Sequence, residues 1–119
     1  MDYKYKPTTK DELIDAISKE IESQGWEADL NCIDTSLIAD MEGLFDHSKF
    51  DGDISKWNVG NVTNMGSMFE HSKFNGDISE WDVSGNCDTE DMYEKAVIKP
   101  HFKHGYVDMG VDIDANDLY

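Results

Sequence analysis

The amino-acid sequence predicts an α+β fold: a short solenoid of about two and a half 24-residue units, with an N-terminal helical cap and an irregular C-terminal cap. Three observations lead to this prediction. A segment near the N-terminus has the spacing of an amphipathic helix, a 24-residue pattern then recurs, and the pattern decays before the C-terminus. A chain of 119 residues has room for one domain with one modest core.

The first element is a helix over residues 9–24. Thr9 is placed to cap this helix together with Glu12, and Gly25 is placed to end it. Apolar residues recur at helical spacing and predict one buried stripe, Leu13, Ile14, Ile17 and Ile21. The opposite face is polar and is predicted to face water, with Asp11, Asp15, Lys19, Glu20 and Glu22. We assign residues 1–32 to an N-terminal lead and capping helix.

An internal repeat follows and decides the architecture. Residues 45–59 and 69–83 align at an offset of 24 residues and are identical at 11 of 15 positions. A period of about 24 residues is typical of leucine-rich-repeat-like solenoids, in which each unit buries its apolar face against its neighbours. We assign residues 33–93 to these repeats.

Each unit is predicted to hold a short helical turn, a tight turn and an extended segment. Met65, Met68 and Phe69 have the i, i+3, i+4 spacing of a helical turn. The dipeptides at residues 51–52 and 75–76, Asp-Gly and Asn-Gly, favour tight turns.

Apolar residues that recur in phase are predicted to form the core, namely Phe45, Phe50, Ile54, Trp57, Phe69, Phe74, Ile78 and Trp81. Met92 continues the series only if three residues are inserted after Val83. Trp26 lies outside the aligned repeat, and the sequence leaves open whether it seals the first unit or is exposed for a partner.

Residues 50–69 follow the pattern F-x-G-D-I-S-x-W-N-V-x-N-V-T-N-M-x-x-M-F. This run resembles the BspA-like or DUF285 repeats of bacterial surface proteins, mycoplasma proteins and phage genomes. The resemblance covers residues 6–93. Within that range, the sequence departs from the repeat pattern at residues 85–88. The resemblance implies a ligand-binding or adhesive solenoid without catalytic residues. Most relatives of this kind carry many repeats and export or anchoring signals. This sequence shows neither, which favours a small stand-alone protein of phage or mobile-element origin.

The chain is strongly acidic, with 26 acidic and 10 basic residues and a net charge of -16. This charge argues against direct binding of nucleic acid. It serves solubility, or it is the binding determinant for a basic partner. Residues 94–119 are assigned to an acidic C-terminal cap or tail. The predicted acidic binding face consists of Asp51, Asp53, Asp77, Asp108, Asp112, Asp114 and Asp117.

Three patterns contain metal-ligating residue types, namely His47 with His71, His101 with His104, and Asp112 with Asp114 and Asn116. The first recurs with the repeat and is interpreted as structural. The second lacks an identifiable third ligand, and the third lacks the glycine and the glutamate of a calcium loop. The sequence therefore predicts no metal site and no cofactor.

The location prediction is the cytoplasm of a bacterial host. The chain has no apolar run long enough to span a membrane and no apolar core of a signal peptide. Cys32 and Cys87 have no C-x-x-C spacing and are predicted to be free thiols.

These observations favour a non-enzymatic protein-binding protein, as a monomer or small homo-oligomer. The leading hypothesis is a phage-like acidic inhibitor that occupies the nucleic-acid-binding surface of a host defence protein, as an anti-CRISPR or anti-restriction DNA mimic would. One alternative is an adhesive or structural solenoid module that binds a protein or glycan at a bacterial surface. Another is a metal-binding regulatory protein.

Overall fold

The computed structural model describes residues 2–97 and the backbone of residues 104–105. Its regular elements are helix α1, Lys10–Gln24, and two short strands, β1 at Asp82–Val83 and β2 at His104–Gly105. The strands are parallel, and Asp82 lies opposite His104. The other described residues form turns, isolated parallel bridges and irregular segments.

Helix α1 begins and ends at the caps that the sequence predicts. The hydroxyl of Thr9 accepts a hydrogen bond from the backbone N–H of Glu12 at 3.1 Å. Gly25 ends the helix with a φ of 89°, and its N–H donates to the carbonyl of Ile21 at 2.7 Å. A positive φ at this position is one that glycine adopts without steric cost.

The buried face of α1 differs from the predicted stripe at two positions. Leu13, Ala16, Ile17 and Glu20 are buried, at the i, i+3, i+4, i+7 spacing of one helix face. Ile14 is 43% exposed, because it lies about 100° around the helix from Leu13. The prediction that Ile14 is buried and that Glu20 faces water is therefore wrong.

Glu20 joins the helix to the N-terminal lead. Its carboxylate accepts hydrogen bonds from the Lys4 ammonium at 2.9 Å, the Tyr5 hydroxyl at 2.8 Å and the Gln24 amide at 2.8 Å. The bond from Lys4, followed by the one from Tyr5, holds the pKa of Glu20 below its usual range. Tyr5 also forms a parallel bridge with Ile33, so this cluster fixes the lead and α1 against the first unit.

We expect Glu20→Ala to lower the free energy of unfolding by about 1–3 kcal/mol, the usual cost of removing one partner from a buried polar cluster. A lowered carboxylate pKa stabilises the fold above the unfolded-state value, which is about 4.3, and this stabilisation is lost as pH falls through the folded value. Urea unfolding of the wild-type protein and of Glu20→Ala measures the first effect, and unfolding of the wild-type protein and of Glu20→Gln at several pH values measures the second.

Glu22→Ala, an exposed change on the same helix, is the matched control and should stay within about 0.5 kcal/mol of the wild-type protein. If Glu20→Ala and Glu22→Ala are equally stable, the cluster does not stabilise the fold. The same conclusion follows if Glu20→Gln loses stability in acid as steeply as the wild-type protein.

The sequence repeat is also a repeat in space. Three successive units, residues 26–49, 50–73 and 74–97, stack in register, and residues 24 apart form the parallel bridges Asp29–Asp53, Asp40–Asn64 and Asn64–Asp88. Met92 therefore corresponds to Met68, and the predicted three-residue insertion after Val83 is wrong. The class of solenoid and the domain boundaries at residues 32/33 and 93/94 stay predictions.

The segments predicted as helical turns are runs of short turns, not helix. The N–H of Met68 donates to the carbonyl of Met65 at 3.2 Å, but the N–H of Met65 donates to Asp88 of the next unit at 2.7 Å. Alternate N–H groups leave the segment in this way along its length. A positive φ recurs every fourth residue, as at Ser67 and His71, and turns the backbone out of a helical path.

The core consists of side chains stacked on their counterparts in the next unit. Trp57 lies 6.4 Å from Trp81 between ring centroids, and Phe45 lies 5.8 Å from Phe69. All eight residues that the sequence places in the core are at most 4% exposed, namely Phe45, Phe50, Ile54, Trp57, Phe69, Phe74, Ile78 and Trp81.

Two glycines lie where neighbouring units come closest. A Cβ atom added to Gly52 would be 1.9 Å from the carbonyl oxygen of Ala28 in the preceding unit. A Cβ atom at Gly76 would be 3.1 Å from the carbonyl oxygen of Gly52 in the preceding unit and 2.6 Å from the ring of Phe74 in its own unit. Neither glycine has a positive φ. The Asx-Gly dipeptides predicted as tight turns therefore need glycine for close approach of the backbone.

Candidate functional site

Several acidic side chains accept backbone hydrogen bonds at turns of the stacked units, and we call these turns the corners. The Asp53 carboxylate accepts a hydrogen bond from the backbone N–H of Ser55 at 2.9 Å, and Asp77 does the same with Ser79 at 2.8 Å. Asn64 makes the equivalent bond with its amide oxygen, to the N–H of Gly66 at 2.9 Å. An Asx side chain can form such a turn with or without a charge. The corners therefore do not require carboxylates.

The predicted acidic face is only partly described. Asp51, Asp53 and Asp77 are exposed, and Asp51 accepts a hydrogen bond from the backbone N–H of Asn75 at 2.9 Å. A hydrogen bond from Asn31, together with those from Ser55, holds the pKa of Asp53 below its usual range. The other four residues of that prediction lie outside the described residues, namely Asp108, Asp112, Asp114 and Asp117.

A denser set of carboxylates lies on a different side of the units. We define the turn face as residues 40–47, 64–71 and 88–95, three segments that are joined in register by backbone hydrogen bonds. Their inward side chains are core residues such as Phe45 and Phe69. Their other side chains include eight carboxylates, Asp40, Glu42, Asp46, Glu70, Asp88, Glu90, Asp91 and Glu94.

The carboxylates of the turn face recur at equivalent positions. Asp46, Glu70 and Glu94 are 24 residues apart and form one row along the stack. Glu42, Asp88, Glu90 and Asp91 line one surface depression together with Asn64, Gly66 and Ser67. The turn face therefore presents negative charge along all three units.

Few cations oppose these charges within the described residues. Lys10 of helix α1 lies 3.8 Å from Asp40, and Lys95 belongs to the turn face itself. His47 and His71 also lie there, with ring centroids 4.4 Å apart, and Asp46 contacts Nδ1 of His47 at 2.5 Å. The excess of carboxylates is the main electrostatic property of the turn face.

Sequence reasoning missed the turn face because the aligned repeat was not extended far enough. The 24-residue offset continues from Asp46 to Glu70 and on to Glu94. The assumed insertion after Val83 moved the third unit out of phase and hid this row. Extending the ungapped offset through Val97 would have found it.

The remaining residues with predicted roles are placed as follows. Trp26 starts the first unit and is 50% exposed. Cys32 and Cys87 are free and half-buried, and burial raises the pKa of both thiols. His101 and His104 carry no described side chain. Across the described residues, no helix has the length and apolar character needed to cross a membrane.

The comparison with known protein families gives one result. The sequence pattern of the family "Mycoplasma protein of unknown function, DUF285" matches residues 15–104. No curated protein and no solved structure matches the chain. The match covers 90 of the 119 residues (104 minus 15 plus 1), so the chain belongs to the DUF285 family.

Proposed function

We propose that this DUF285 member is a non-enzymatic binding protein whose turn face occupies the basic, nucleic-acid-binding surface of a partner protein. In the specific form of the proposal, the chain is phage-derived, acts in the cytoplasm of a bacterial host, and inhibits a defence nuclease as an anti-CRISPR or anti-restriction protein does. The observation that carries the proposal is the set of eight carboxylates along three stacked units.

The charge density of the turn face is comparable with that of duplex DNA. Three units at about 4.8 Å per step cover about 14 Å of the stack. B-DNA carries one charge per about 1.7 Å of helix axis, or about eight over the same length. A groove lined with lysine and arginine would therefore meet a similar number of negative charges on either ligand.

The fold accounts for only part of these charges. Asp40 and Asp88 accept the backbone N–H of the residue two positions on, at 2.9 Å each. The segments are otherwise joined by backbone hydrogen bonds, such as the one from Ser67 N–H to the Glu90 carbonyl at 2.9 Å. Asp46, Glu70 and Glu94 lie in one row, where like charges repel one another. A row that costs stability and that the turns do not need is better explained by binding than by folding.

Two triple variants with the same net charge test the proposal. The turn-face triple is Asp46→Asn, Glu70→Gln and Glu94→Gln. The control triple is Asp51→Asn, Asp53→Asn and Asp77→Asn, which keeps the turn-forming oxygens. Each changes the net charge from -16 to -13 (-16 plus 3). The immobilised proteins would be exposed to a bacterial lysate, and bound proteins eluted with salt or with duplex DNA.

We expect the wild-type protein and the control triple to retain a DNA-binding protein that salt and duplex DNA both release. The turn-face triple should bind it about tenfold more weakly, since three surface ion pairs contribute up to about 1 kcal/mol each. Equal losses in both triples would mean that only total charge matters. Unchanged binding by the turn-face triple would exclude this face.

The exposure of Trp26 favours one alternative, an adhesive or structural module that binds a protein or glycan through an aromatic contact. Such binding would be nearly insensitive to salt and to both triples. It would be abolished by Trp26→Ala. If the turn face is the binding surface, Trp26→Ala still binds the partner that duplex DNA releases.

A further inference from the structure

We propose that Asp46, His47 and His71 form a binding site for a divalent transition-metal ion, with Zn²⁺ as its probe. The two histidines belong to successive units, and the aspartate precedes the first of them. This inference departs from the sequence prediction of no metal site, and it does not depend on the proposed function.

The three side chains place their ligand atoms close together. One ligand atom from each of Asp46, His47 and His71 lies within 4.8 Å of the other two. Two imidazoles and a carboxylate are ligand types that Zn²⁺ accepts. Ligands at about 2.0 Å from a tetrahedral ion lie about 3.3 Å apart, so the widest pair must close by about 1.5 Å or less. The contact between Asp46 Oδ1 and His47 Nδ1, at 2.5 Å, must open for both atoms to bind the ion.

The two histidine side chains have room to close around an ion. The His47 and His71 side chains are 65% and 38% exposed. Their rings lie nearly parallel, with 14° between the planes, and must tilt for both to direct a nitrogen at one ion. Because both side chains extend into solvent, this rotation displaces no core residue.

The backbone fixes the two histidines next to each other. The N–H of His47 donates to the Glu70 carbonyl at 2.8 Å, and the N–H of His71 donates to the Glu94 carbonyl at 2.9 Å. Two ligands held by a rigid backbone lose less freedom on binding than two on a flexible loop.

The turns do not require imidazoles at these two positions. His47 and His71 have φ values of 57° and 55°, and Lys95 occupies the same position of the third unit with a φ of 55°. The fold thus accepts another residue type there.

The negative charge around the site also favours a cation. Glu70 Oε2 lies 3.9 Å from Nδ1 of His71 and could supply a fourth ligand.

Zinc titration of the full chain, without an affinity tag, tests the site. Calorimetry measures stoichiometry and affinity, and imidazole resonances identify the ligands. We expect one zinc ion per chain in the micromolar range, with shifts at His47 and His71. His47→Asn and His71→Asn should each weaken binding about tenfold or more. Asparagine tolerates a positive φ, so both variants should melt within a few degrees of the wild-type protein.

The control is the double variant His101→Asn and His104→Asn, which removes the other two histidines of the chain. We expect it to bind zinc as the wild-type protein does. The proposal is overturned if no zinc binds at millimolar concentration. It is equally overturned if binding survives both single variants, or if only the control variant loses it.

Discussion

Replacing Trp57 by alanine is expected to lower the free energy of unfolding by about 3–5 kcal/mol, the usual cost of truncating a large buried aromatic side chain. The Trp57 side chain is 4% exposed and lies 6.0 Å from Phe45 and 6.4 Å from Trp81 between ring centroids. Its indole N–H donates to the Leu30 carbonyl of the preceding unit at 2.9 Å. The substitution therefore removes packing between units and one of the two hydrogen bonds to the Leu30 carbonyl, which keeps the one from the Ile33 N–H at 3.1 Å.

Trp26→Ala is the matched control, since Trp26 is half exposed. Thermal and urea unfolding should place Trp57→Ala far below the wild-type protein and Trp26→Ala close to it. Trp57→Phe should fall in between, because it keeps an aromatic ring but loses the N–H. A Trp57→Ala protein as stable as the wild-type protein would show that this tryptophan is not part of a packed core.

Gly52→Ala should be similarly damaging, with a loss of about 3 kcal/mol or more. The added Cβ atom would lie 1.9 Å from the Ala28 carbonyl oxygen, and the same oxygen accepts the N–H of Asp53 at 3.0 Å. A clash with backbone cannot be relieved by a rotamer change, so the first two units would have to separate. Far-ultraviolet circular dichroism during urea unfolding measures the loss.

Gly85→Ala is the matched control for Gly52→Ala. A Cβ atom at Gly85 would have nothing within 4 Å, and Gly85 has no positive φ. Its replacement should change stability by at most about 0.5 kcal/mol. Equal stability of the Gly52→Ala and Gly85→Ala proteins would contradict the close approach of the units at Gly52.

The sequence predicts the parts of the fold that depend on spacing. Thr9 and Gly25 bound α1 because capping depends on a few adjacent residues. Trp57 and Trp81 are recognisable as core residues because equivalent positions of stacked units share one environment. The leucine-rich-repeat-like class of the solenoid stays a prediction that rests on the 24-residue period.

The features that the sequence did not predict depend on contacts between distant residues. Glu20 is buried because Lys4 and Tyr5 of the lead cover it, and helix spacing predicts its contact with Gln24 but not those with Lys4 and Tyr5. The turn segments imitate helical spacing at Met65 and Met68, yet their N–H groups bond to the next unit. Tertiary pairing overrides local spacing at both places.

At the candidate site too, the sequence predicts the residues that recur with the repeat but not the contacts between units. The repeat in the sequence predicts Asp51, Asp53 and Asp77, and all three are exposed. Each also accepts a backbone hydrogen bond within the stacked units. The turn face was missed because its carboxylates form rows only when all three units are in register. The proximity of His47 and His71 has the same origin, since 24 residues separate them in sequence and 4.4 Å separates their ring centroids.

Competition between this protein and duplex DNA for the captured partner tests the acidic turn face most directly. Fluorescence anisotropy of labelled DNA bound to the partner would be followed while unlabelled protein is added. We expect the wild-type protein and the Asp51, Asp53, Asp77 triple to displace DNA at similar concentrations. The Asp46, Glu70, Glu94 triple should need about ten times more. If the partner binds DNA and the wild-type protein together, with neither affinity changed, the turn face does not occupy a nucleic-acid-binding surface.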